Sequence, residues 1–157
     1  VTDEETKGNS DLPGRTVQSM DHLRLGDREA FLRQVPELIA RLRMREPAYA
    51  FELNLSSRSL LIIDAYIATV VDAILVQGGD ILGSINRELV KELTAYVGEV
   101  IVRSRNGRWF ADKERGPLVV FPTKNGHRQK TIDIYDQMIE ILVEGESVAL
   151  WYEMETE

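Results

Sequence analysis

The sequence predicts an α+β fold: N-terminal helices packed on a small antiparallel sheet, plus a C-terminal helix and strand. Three observations predict it. Apolar residues recur at three- and four-residue steps from about Asp27 to Arg105, the period of buried helix faces. Alternating short runs replace them afterwards. Between two of those runs stands Asn125-Gly126, whose residues both tolerate positive φ and suit a type I′ hairpin turn. Helices first and strands second indicate α+β rather than a doubly wound α/β fold. The 157 residues fit one domain, long enough to bury a core without staples. Residues 1–20 are polar, with Gly8, Pro13 and Gly14 and no apolar period, and read as a flexible tail. The domain is expected over 21–157.

Each element has its own signal. Asp27 is a good N-cap for a first helix, whose buried face would be Ala30, Phe31, Val35, Leu38, Ile39 and Leu42. Pro36 interrupts this run and predicts a kink or a restart, and Pro47 marks its end. Phe51, Leu53 and Leu55 alternate with Glu52 and Asn54, as in a short half-buried strand. Ser56 or Ser57 caps a second helix that is apolar on most sides. Its solvent stripe is expected to be narrow, at Asp64, Ala68 and Asp72. Gln77-Gly78-Gly79-Asp80 closes it with a turn. A third helix is predicted over about Ser84 to Arg105, with Ile85, Leu89, Leu93, Tyr96 and Val100 as its buried seam. Arg103 and Arg105 favour its C-terminal dipole, and Asn106-Gly107 stops it.

Strands are predicted at Arg108 to Asp112, Leu118 to Thr123 and Arg128 to Ile134, with the Asn125-Gly126 hairpin completing a meander. A short helix covers Tyr135 to Val143 and ends at Gly145. Val148, Leu150, Tyr152 and Met154 alternate with other residues and read as one face of a last strand.

Composition excludes several chemistries. The chain has no cysteine, which removes disulfides, thiolate catalysis and cysteine-based zinc sites. Val1 to Asn9 lacks the apolar core of a signal peptide, and a cytoplasmic location is expected. Ser59 to Val76 is almost long enough to span a bilayer. However, Asp64 and Asp72 would each cost roughly 2.5–3.5 kcal/mol near its centre, so the expectation is a buried core helix and no membrane. The two histidines, His22 and His127, have no ligand-spaced partner. No nucleophile elbow, phosphate loop or dinucleotide fingerprint is present. No metal and no cofactor are therefore expected.

The net charge of −7 argues against a general nucleic-acid binder. Its distribution is uneven. Residues 103–130 hold eight basic side chains against two acidic ones, and 131–157 hold eight acidic and no basic ones. Neighbouring segments are usually adjacent in space, so mutual balance is expected. The alternative is a basic patch for an acidic partner.

Carboxylates beside apolar residues (Glu52, Asp64, Asp72, Glu99, Asp133) are the remaining catalytic candidates, although spacing alone brings no two of them together. The least ordinary group is Tyr96, Gly98, Glu99, Arg103 and Trp109. A glycine inside a helix costs about 1 kcal/mol relative to alanine, so Gly98 implies either close approach of another backbone, a sheet strand or the second helix, or room for a ligand. Glu99 and Arg103 form an i,i+4 pair in the favourable order. The pair is either a surface ion pair or a device by which Glu99 orients Arg103 or Arg108 toward a partner. Trp109 is expected in the core.

Tyr96-Val97-Gly98-Glu99-Val100, then Gly107-Arg108-Trp109, a strand led by Pro117 and the preceding Phe51 to Ser56 together resemble a widespread family of uncharacterised bacterial domains. These carry an A-Y-x-G-E-V helix and a G-G-x-W strand start, and Asn106 replaces the first glycine of that pair here. The resemblance spans about Tyr49 to Glu153. It implies a fold and a bacterial setting, and no reaction or cofactor.

The expected function is that of a non-enzymatic interaction or accessory protein with a protein partner or a second copy. Tyr96, Glu99, Arg103 and Arg108 are its candidate ligand- or partner-binding residues. The alternative is a small-ligand-binding or hydrolytic domain using Glu99 with Arg103 or Arg108.

Overall fold

A computed structural model describes residues 21–157. The tail expected at 1–20 lies outside the described residues. After a 3-10 turn at Asp21–Leu23 come helices α1 (Arg28–Arg33), α2 (Val35–Arg45), α3 (Leu60–Val76), α4 (Ile81–Ser84) and α5 (Arg87–Ser104). Strands β1 (Arg108–Phe110), β2 (Leu118–Pro122) and β3 (Gln129–Asp133) follow, then helices α6 (Ile134–Glu144) and α7 (Val148–Glu155). The fold is α+β.

The Asp27 carboxylate accepts bonds from the Glu29 and Ala30 amides, as an N-cap should. The helix restarts after Gln34, with Pro36 in the first turn of α2. A proline there gives up an N–H that has no helical partner anyway. At the far end, Asn106 adopts φ 55° and stops α5.

Helix α5 is the centre of the fold. Eleven of its residues are buried, because α2 packs along one side and β2 and α6 along others. The sheet is antiparallel in the order β1-β2-β3. Trp109, Val119 and Ile132 stand in one cross-strand row, so their side chains share a face, the one turned to α5. Arg108 and Phe110 project from the opposite face and are exposed.

Four expectations are corrected. The segment Phe51 to Leu55 is not a strand. The Glu52 and Leu53 amides both donate to the Tyr49 carbonyl, and Leu55 takes φ 67°, so the chain turns instead of extending and Phe51 is left in solvent. The C-terminal segment is helix α7, not a strand. It buries Val148, Trp151 and Tyr152 at three- and four-residue steps, and leaves Leu150 and Met154 exposed. The Asn125-Gly126 turn is not type I′, since Gly126 has positive φ and Asn125 does not. The hairpin closes over a longer loop, through a bond of 2.8 Å from the Thr123 amide to the Arg128 carbonyl.

The fourth correction concerns α3. It is not enclosed as a core helix: only Leu60, Ile63 and Ile67 are buried. Its solvent face is broad, and Asp64 is not on it.

Candidate functional site

Asp64 is drawn to the first turn of α7. Its carboxylate accepts from the Val148 amide at 2.7 Å, the Ala149 amide at 3.3 Å and the Ser147 hydroxyl at 2.6 Å. The first amides of a helix have no partners within the helix, and here a carboxylate 84 residues away supplies them. Ser147 also caps the Leu150 amide. The candidate carboxylate Asp133 has a similar task. It caps α6 through the Asp136 amide and holds the Gly116 amide at 3.1 Å. Glu52 and Asp72 are exposed.

The predicted group on α5 does come together. The Tyr96 ring is wholly buried. Its hydroxyl accepts from the Leu55 amide at 2.9 Å and bonds to the Ser59 hydroxyl at 2.6 Å, tying the turns of 51–56 and the 3-10 helix Ser57–Ser59 to the core. Gly98 faces the indole of Trp109, and a Cβ there would lie 2.0 Å from its Cη2. The close approach at Gly98 is therefore made by a side chain, and not by the backbone of another element that the helical glycine had led us to expect. Phe31 packs edge-on against the same indole, with ring centroids 5.9 Å apart. One Glu99 oxygen accepts from the Trp109 Nε1–H at 3.0 Å and the other from Arg103 Nε at 3.2 Å. Arg103 is otherwise solvent-facing. Arg108 is not brought to Glu99, because it lies on the far face of the sheet. The arrangement fixes Trp109 against α5.

A more deeply buried carboxylate, held by a partly exposed arginine, was not singled out from sequence. Glu92 is 3% exposed, and both of its oxygens accept from Arg45, by Nε and, at 3.2 Å, by Nη2. Its hydrogen bond with Glu92 raises the Arg45 pKa further, against the opposing effect of burial. The signal was present in the seam. Glu92 stands three residues after Leu89 and four before Tyr96, a position facing the interior. Arg45 also edges a cavity of about 440 Å³ that runs beside α3, lined by Tyr66, Val70, Ile74 and Leu89.

A second cavity, of about 340 Å³, lies between the Asp21–Leu23 turn and the start of α6, and is lined by Arg24, Arg28, Tyr135 and Asp136. Burial, then the nearby Asp133 charge, raises the Asp136 pKa above the usual carboxylate value. The Tyr135 hydroxyl is occupied, donating to the Leu23 carbonyl. Among the described residues, no three His, Asp or Glu side chains gather as a metal-binding group.

The charge segregation is only slightly relieved by pairing. Lys130 meets Glu155 at 3.0 Å, while Arg103 pairs with Glu99 and Arg115 with Asp112 inside their own neighbourhood. Lys130 is the one basic residue of 103–130 in a salt bridge with an acid of 131–157.

The described surface also carries exposed apolar side chains on α3 and α7. Leu61 is 60%, Leu75 55% and Val76 86% exposed along α3. Beside them α7, packed against α3, presents Leu150 at 66% and Met154 at 70%. The helical stretch Ser57–Val76, with a mean hydropathy of 2.1, is long and apolar enough to cross a membrane. No family model, curated protein or solved structure matches the chain.

Proposed function

We propose that this chain is a non-enzymatic interaction or accessory protein that docks on a protein partner through the exposed side of α3. The observation that carries this reading is the exposure of Leu61, Leu75 and Val76 on a helix with no basic residue. Contiguous exposed apolar surface of this kind marks interaction sites. In this reading Tyr96, Glu99 and Trp109 are framework, and Arg103 and Arg108 are surface cations. The bacterial cytoplasm is the setting we propose, on the strength of the resemblance carried by residues 96–109.

A photoreactive amino acid at position 68, introduced in native cells, tests the reading. Discrete protein adducts are expected from position 68, lost when Leu61→Glu and Leu75→Glu are added. A control probe at Arg128 on the hairpin should give none of the same adducts. Absence of protein adducts from position 68 would sink the reading.

A further inference from the structure

Resting on that reading, we propose that the partner of α3 is a second copy of the same chain, packed antiparallel across a two-fold axis at Ala68.

Five of the eight exposed residues of α3 follow a regular order. Leu61, Ala65, Ala68, Asp72 and Leu75 are all exposed, and their steps of four, three, four and three are those of a coiled-coil seam. The stripe runs from Leu61 to Leu75, about 21 Å of helix at 1.5 Å per residue. It reads Leu-Ala-Ala-Asp-Leu. Laid against itself in reverse, it gives five layers: Leu61 on Leu75, Ala65 on Asp72, Ala68 on Ala68, and the first two again by symmetry. Large residues close both ends, and small ones let the helix axes approach toward the lower end of the usual 8–10 Å range. A two-fold interface must be self-complementary in this way.

Charge selects the orientation. A parallel pair in register would set Asp72 against Asp72. The antiparallel pair sets each Asp72 against an alanine, where the carboxylate has room to reach water. The two Asp72 groups then stand about 12 Å apart along the axis, beyond the screening length of about 10 Å at 0.1 M salt. Asp64, the other acid of the helix, is turned onto α7 and does not enter the seam. Antiparallel helices also place their opposite dipole ends together.

Because the chain has no cysteine, introduced cysteines report the geometry cleanly. Sedimentation of the 157-residue chain should show a dimer at micromolar concentration. Mild oxidation should link Ala68→Cys to itself, and should link Leu61→Cys to Leu75→Cys when the two are mixed. Leu61→Cys alone should stay unlinked. Leu61→Glu with Leu75→Glu should weaken dimerisation by on the order of 100-fold, since both charges would be buried at the interface, with an unchanged circular dichroism spectrum. A monomer across the whole concentration range would overturn the proposal. So would self-linking of Leu61→Cys as efficient as that of Ala68→Cys, or binding of the monomer to phosphatidylcholine vesicles through this face. Capture of a different protein at position 68 by a monomeric chain would reject the second copy and leave the interaction reading standing. A monomer with no adduct at position 68 would reject both.

Discussion

Gly98 is seated under the Trp109 indole, with three ring carbons within 3 Å of where its Cβ would be. Helix propensity alone favours alanine at this position by about 1 kcal/mol, and the contact outweighs it. Gly98→Ala is expected to destabilise the fold by about 1–3 kcal/mol net, the usual cost of overpacking, read from urea unfolding. Adding Trp109→Ala should remove most of that penalty, so the two substitutions should be strongly non-additive.

The Asp64 clamp predicts local rather than uniform damage. Asp64→Ala leaves the Val148 and Ala149 amides without their partner and should cost about 2 kcal/mol, at the upper end for an N-cap. Hydrogen exchange should show the first turn of α7 losing protection while α5 keeps it. Uniform loss along the chain would contradict a capping role.

The pairing of the partly exposed Arg45 with the buried Glu92 predicts an asymmetry. Arg45→Ala strands a carboxylate that is 3% exposed and should cost about 3–5 kcal/mol. Arg45→Met combined with Glu92→Leu removes both charges and keeps the volume, and should cost far less than Arg45→Ala. Denaturant midpoints of the two variants settle the comparison.

Asp136 gives a pH dependence with a defined sign. Its folded pKa is raised, by burial first and by Asp133 second. Its protonated form therefore favours folding, a contribution fully present below the unfolded value of about 3.9 and lost as pH rises through the folded value. At pH 7 the ionised group costs stability. Asp136→Asn should raise Tm at pH 7, and the gain should disappear below about pH 4. A constant gain across that range would rule out titration as the cause.

Local rules read from the sequence gave most of the helical framework. Asp27, Pro36, Asn106 and Gly145 each act as elementary capping and turn chemistry predicts, and the α5 seam is where the apolar spacing puts it. Long-range packing decides the rest. The segment Val148–Glu155 alternates as a strand would, yet its first amides are held by Asp64, a partner that spacing cannot reveal. Leu55 departs from extended backbone where its amide is fixed by Tyr96, 41 residues away. Apolar content misled for α3 because it measures what a helix can bury, not what its neighbours cover. In the candidate group, the nearness of Gly98 to another element was legible from the cost of a helical glycine. The division of labour was not, because which face of β1 carries Trp109 and which carries Arg108 is fixed by strand register.

The bond between Asp64 and the start of α7 also has a consequence in time. A ribosome delivers residue 64 long before residue 148, so the carboxylate must wait through the synthesis of α5, the whole sheet and α6. Until then α3 has no α7 beside it, and its most hydrophobic stretch faces the crowded surroundings of the nascent chain. Helix α7 is thus a latch made late for one side of α3, and a chain stalled before Ser147 would be the form that chaperones and proteases meet unlatched.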